Sequence, residues 1–219
     1  MRAPNPDDRP RLLAELREAI HRIERRPARR SGAVGSGLAE VDGALPGGGF
    51  PRGAISELAG GRASGKTAVA LSLLASLEGG DLFAWVDGRG EIYPPAAAAR
   101  GVDLARLLIV RPAGGRGDPV RAGLWAAEAL LGSGAFAAVV MDIPTRGAER
   151  GWAAVAHRLQ SAAEKGGAVG LWLASPRGVL RVPAAVRLDV AEEGGRVTAR
   201  RRLGGAGGLR GRRPETHAA

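Results

Sequence analysis

One eight-residue loop sets the terms for the rest of the chain: Gly60-Gly61-Arg62-Ala63-Ser64-Gly65-Lys66-Thr67. It fits the pattern Gly-x4-Gly-Lys-Thr, in which glycines let the backbone curl so tightly that successive N–H groups converge on one anion. The flanks agree with that use. The apolar segment 54–59 before it reads as a strand, and 67–77 after it reads as a helix, with Val69, Leu73 and Leu77 on one face. A helix N-terminus adds its positive end to the amides. The 35 glycines of the chain make accidental glycine turns common, so the strand–loop–helix setting, not the pattern alone, singles this loop out. Gly60, Gly61, Arg62, Ala63, Ser64, Gly65, Lys66 and Thr67 are therefore the expected cradle of a nucleoside triphosphate. Lys66 would lie against the outer phosphates, and Thr67 would offer a hydroxyl to Mg2+.

A triphosphate site of this kind needs a carboxylate at the end of a neighbouring strand. Ala138-Val139-Val140-Met141-Asp142 supplies four apolar residues that end in an acid. Thr67 and Asp142 are thus the expected Mg2+ pair, with ATP and Mg2+ the expected cofactors. Around this site the sequence alternates. Strands are expected at 82–86, 107–110, 137–141 and 169–174, and helices at 94–100, 119–131 and 152–164. The apolar strand runs are continuous, as parallel strands covered on both faces require. The predicted class is α/β, a central, mostly parallel sheet flanked by helices. Segments 185–190 and 196–201 flank Glu193-Gly194-Gly195 and read as a closing hairpin.

The ends read differently. Leu12, Leu16, Ile20 and Ile23 form one stripe of an amphipathic helix over about residues 9–25, followed by the basic linker Arg25-Arg26-Pro27-Ala28-Arg29-Arg30. That helix is a docking helix for a neighbouring protomer or a partner, or else folds back on its own domain. The expected division is 1–32 for helix and linker, 33–200 for the core and 201–219 for a Gly/Arg-rich tail without a core pattern. The net charge of +10 favours polyanionic partners, nucleic acid first. Arg196, Arg200, Arg201, Arg202, Arg210, Arg212 and Arg213 are the expected DNA contacts, the alternative being a solvated tail. With glycine and no aromatic residue between them, such contacts would be charge-driven and non-specific, to single- or double-stranded DNA.

Other classes are excluded or disfavoured. The chain has no cysteine, hence no disulfide scaffold and no thiolate metal site. It holds no run of about 18 apolar residues, so no membrane partner is expected and a cytoplasmic, nucleoid-associated location is. His21, His157 and His217 lie apart and include no metal pair. Trp85, Trp125, Trp152 and Trp172 are expected in the core, and Tyr93 is a candidate to stack on an adenine. A small-molecule kinase is disfavoured because no lid or acceptor-binding segment follows the strands.

Several spaced motifs carry a family resemblance. Gly37-Leu38-Ala39-Glu40-Val41-Asp42, then Gly48-Gly49-Phe50-Pro51-Arg52-Gly53-Ala54-Ile55-Ser56-Glu57-Leu58, resemble the entry to the RecA/RadA ATPase core. So do Phe83-Ala84-Trp85-Val86-Asp87 and Gly101-Val102-Asp103-Leu104-Ala105-Arg106-Leu107-Leu108. The likeness covers about residues 10–175 and implies a RecA-like P-loop core. The amphipathic segment then resembles the one by which RecA protomers hook together, which implies self-association.

The resemblance also marks departures. RecA carries a water-activating glutamate shortly after the second strand; counting back without gaps from Gly101-Val102-Asp103 puts Arg89 there, with Glu91 two residues on. The glutamine that senses the γ-phosphate falls near Ser175, and the segment for the first DNA-binding loop is short. A compact RecA-like chain with these losses is similar to the ImuA family, accessory proteins of SOS-induced translesion synthesis. That implies RecA and an ImuB-like polymerase-family partner. Two expectations stay open: a regulator with weak or absent hydrolysis, or a DNA-dependent ATPase with Glu91 as surrogate base.

Overall fold

The computed structural model describes residues 32–112, 118–144, 151–174 and 182–202. The predicted N-terminal helix and linker, His21, Ser175, Arg210, Arg212, Arg213 and His217 lie outside the described residues.

The elements run in the order β1 (Ala33–Val34), α1 (Ala39–Ala44), β2 (Phe50–Pro51), β3 (Ala54–Ala59), α2 (Lys66–Ser76), β4 (Leu82–Asp87) and α3 (Pro94–Ala99). After a 3-10 turn at Leu104–Arg106 come β5 (Leu107–Val110), α4 (Pro119–Gly132), β6 (Phe136–Asp142), α5 (Trp152–Gly166), β7 (Val169–Ala174), β8 (Val186–Glu193) and β9 (Arg196–Arg201). Strands β1 and β2 form a small antiparallel pair. The other seven form one sheet in the order β5-β4-β6-β7-β3-β8-β9. All its pairings are parallel except that of β8 with β9.

Because strand side chains alternate between faces, each apolar strand feeds two cores. On one face Leu58, Phe83, Trp85, Val140, Leu171 and Leu188 pack with Val69, Leu73 and Leu74 of α2 and with Phe50 and Val41. On the other, Ile55, Val86, Val139, Met141 and Trp172 pack with Leu124 and Leu131 of α4 and with Trp152, Leu159 and Ala163 of α5. The Trp152 and Trp172 rings meet at 5.6 Å between centroids, tilted by 59°. Helices α4 and α5 approach so closely that a Cβ on Gly166 would lie 1.9 Å from the Leu131 carbonyl oxygen.

One expectation is corrected. Trp125 is 72% exposed instead of buried. The buried residues of α4 are Gly123, Leu124, Ala127 and Leu131, and Trp125 falls on the opposite face of the turn. The closing hairpin expected from segments 185–190 and 196–201 forms as β8 and β9. β9 continues to Arg201 with Arg200 opposite Asp189 and Arg201 opposite Leu188. The Arg202 amide donates to the Arg187 carbonyl at 2.9 Å, and its guanidinium is ion-paired with Asp189. An internal carboxylate and the packing of Val197 and Ala199 against the core hold this strand and the residue after it.

Candidate functional site

Strands β3, β4, β6 and β7 end at one rim of the sheet, where an open α/β sheet places its ligands. The loop from Gly60 to Gly65 leaves β3 there and enters α2. Gly65, the N-cap, takes φ +87°, and Ala63 takes φ +55°. The Gly60 amide is tied to the end of β7 through the Ala174 carbonyl at 3.3 Å. The outside of the loop is walled by the β8–β9 hairpin. A Cβ on Gly60 would sit 2.6 Å from the Val190 carbonyl oxygen, and one on Gly65 would sit 2.7 Å from Val197 Cγ2. Glycine is required at both places by contact, and at Gly65 by conformation too.

Lys66 folds back on this loop. Its Nζ donates to the carbonyls of Gly60 and Gly61 at 2.6 and 2.7 Å and to Ser64 Oγ at 3.1 Å, which uses all three ammonium donors. Burial lowers its pKa; the Asp142 carboxylate opposes that effect and the Arg89 guanidinium adds to it.

Asp142 ends β6 directly beside Asp87, the last residue of β4. Each carboxylate is matched by an arginine: Arg89 Nε donates to Asp142 Oδ1 at 2.7 Å, and Arg111 Nε donates to Asp87 Oδ2 at 2.9 Å. The second Asp87 oxygen accepts the Glu91 amide at 2.9 Å, and Arg111 also donates to the Ile92 carbonyl at 3.0 Å. Asp87 and Arg111 thereby shape the loop that carries Arg89 and Glu91. Burial raises the pKa of Asp142, and this outweighs the hydrogen bond and the charge of Arg89.

The loop and the two strand ends enclose a cleft of about 580 Å³. All eight residues from Gly60 to Thr67 line it, together with Arg89, Glu91 and Asp142. The structure thus brings together every predicted phosphate-site residue and the predicted Glu91. Arg100 and Glu192 also line the cleft and carried no signal as partners of the loop. Asp87 did carry one, since it ends an apolar strand as Asp142 does. Tyr93 is 66% exposed at the start of α3 and is not among the lining residues.

Thr67 lines the cleft, and Asp142 Oδ1 accepts from Arg89, so while the pair holds a hydrated cation would compete with the guanidinium for the carboxylate. Among the described residues no group of three or more His, Asp or Glu forms a metal cage.

The predicted DNA contacts on β9 are dispersed. Arg196 pairs with Glu40 of α1 at 3.4 Å and Arg202 with Asp189, while Arg200 and Arg201 are exposed. Among the described residues no helix is long and apolar enough to cross a membrane.

The sequence matches the RecA N-terminal domain over residues 16–147, which spans the loop, both strand-end carboxylates and the arginines between them. This chain belongs to the RecA N-terminal domain family. It is similar to Protein RecA of Staphylococcus carnosus, 37% identical over 125 residues, which cover 57% of this chain and 34% of that protein. Similarity to Protein RecA of Limosilactobacillus reuteri is 40% over 111 residues, 50% of this chain and 29% of that one. For Protein RecA of Streptococcus pyogenes serotype M49 it is 37% over 125 residues, 57% and 32% of the two chains. The matched part of this RecA-family chain thus corresponds to about a third of the length of these relatives.

Proposed function

We propose that this chain is a nucleotide- and DNA-binding accessory member of the RecA family. It acts in DNA-damage tolerance together with RecA and an error-prone, ImuB-like polymerase partner. ATP sits on the loop from Gly60 to Thr67, with hydrolysis weak or absent. One observation carries this reading: the cleft position at which the family resemblance expects a water-activating glutamate holds Arg89, and Arg89 is bonded to Asp142. A guanidinium stays protonated and accepts no proton, so it cannot act as general base toward water. While Arg89 holds Asp142, a Mg2+ ion would have to compete with it for the carboxylate, and no step here is routed through the ion. The adaptor role also draws on the net charge of +10 and on the exposed Arg200 and Arg201 of the edge strand β9. A cytoplasmic, nucleoid-associated location, an N-terminal docking helix over about 9–25 and a Gly/Arg-rich tail are parts of the same reading.

A second reading, a DNA-dependent ATPase, is favoured by Glu91, which lines the cleft and whose amide is fixed by Asp87. Steady-state ATP hydrolysis with and without single-stranded DNA separates the two. The accessory reading expects tight binding without turnover. Turnover stimulated by DNA and abolished in Glu91→Ala would replace it with the enzyme. Affinity capture from DNA-damaged cells, read for RecA and polymerase subunits, tests the partners.

A further inference from the structure

The nucleotide site contains a cation of its own. Arg89 Nε is bonded to Asp142 Oδ1 at 2.7 Å, and the same side chain lines the cleft beside Lys66. A guanidinium has five N–H donors, of which this bond uses one. The terminal donors are of the kind that grip phosphate oxygens in a planar fork. Asp142 holds the side chain at the cleft through this bond. The anchored loop is fixed in turn by the Glu91 amide on Asp87 and by Arg111. A positive group is therefore built in at the strand-end carboxylate that would otherwise attract a hydrated divalent ion.

We infer that Arg89, held by Asp142, takes the place of the divalent cation, so that this chain binds a nucleoside triphosphate without Mg2+. The inference rests on the nucleotide-binding reading above. Its physical basis is charge placement. A metal neutralises the outer phosphates and is held at the acid through water; here the acid holds a guanidinium that can contact the phosphates directly. A metal-independent site of this kind favours retention of nucleotide over its hydrolysis.

The test uses the full chain and a fluorescent N-methylanthraniloyl-ATP, titrated in excess MgCl2 and in excess EDTA. The wild type is expected to bind within about threefold of the same affinity in both buffers, whereas a loss of more than about tenfold in EDTA overturns the inference. Arg89→Gln keeps the stem and removes the charge. Its affinity in EDTA is expected to fall by more than about tenfold. It is also expected to gain a Mn2+ ion at the freed carboxylate, read as a drop in free Mn2+ signal by electron paramagnetic resonance with nucleotide present. Unchanged metal-free affinity in that variant overturns the inference as well. The wild-type comparison needs no variant, so a misfolded Arg89→Gln leaves the question decided. Binding in MgCl2 alone refutes metal independence and spares the nucleotide reading; binding in neither buffer refutes both.

Discussion

At the residue level, Lys66 and Asp142 hold the site in tension. Both are drawn from water, which works against their charged forms, and each is offset by a neighbour: the Asp142 carboxylate for Lys66, Arg89 for Asp142. Lys66→Ala removes the one lysine of the cleft and is expected to abolish nucleotide binding while the circular dichroism spectrum stays that of the wild type; retained affinity counts against the site. Asp142 gives a prediction with a sign. Its folded-state pKa lies above the unfolded one, so between those two values the folded state holds the extra proton and stability falls as pH rises. Asp142→Asn should therefore gain Tm relative to the wild type at neutral pH. The gain should shrink as pH falls through the raised pKa, and a pH-independent difference would contradict the burial argument.

At the level of elements, the sequence was most legible where one rule dominated. The continuous apolar runs of β4, β6 and β7 and the Gly-rich loop before α2 identified a parallel sheet with a tight loop entering a helix at its rim, because covered parallel strands leave no polar face. The short pair β1–β2 and helix α1 were illegible inside a Gly-rich stretch, where spacing gives no period. Trp125 was misplaced because residue type was weighed above its position on the turn of α4. Between helices, contact overrides propensity. Ala is ordinarily better than Gly in a helix by about 1 kcal/mol. At Gly166, however, the new Cβ would meet the Leu131 carbonyl oxygen, so Gly166→Ala is expected to destabilise by roughly 1–3 kcal/mol in urea melts. A stabilised variant would mean that α4 and α5 can move apart freely.

For the whole molecule, the strand order was beyond the reach of local pattern. No spacing in the sequence announces that β3 lies between β7 and β8, or that β9 closes an edge behind the loop. Arg196, Arg200 and Arg201 lie on that edge strand. Their placement changes what DNA binding should look like. Arg196 and Arg202 already carry acidic partners, which leaves Arg200 and Arg201 as the exposed arginines of this edge with no ion pair among the described residues. Replacing both by Gln is expected to lower the slope of log affinity against log salt by about 1.8 on duplex DNA, at about 0.9 per lost phosphate contact. An unchanged slope would remove this edge from the interface and leave the residues after Arg202 as the candidates.

The two aspartates that end β4 and β6 side by side make Arg111 a remote control of the cleft. It is not one of the cleft-lining residues, yet with Arg111→Met the buried Asp87 would face Asp142 with its charge uncompensated, and the turn holding Arg89 would lose its clasp on the Ile92 carbonyl. Nucleotide affinity should then weaken through a side chain that never approaches the phosphates. Inheritance of this pair would matter as much to the site as the glycines of the cradle.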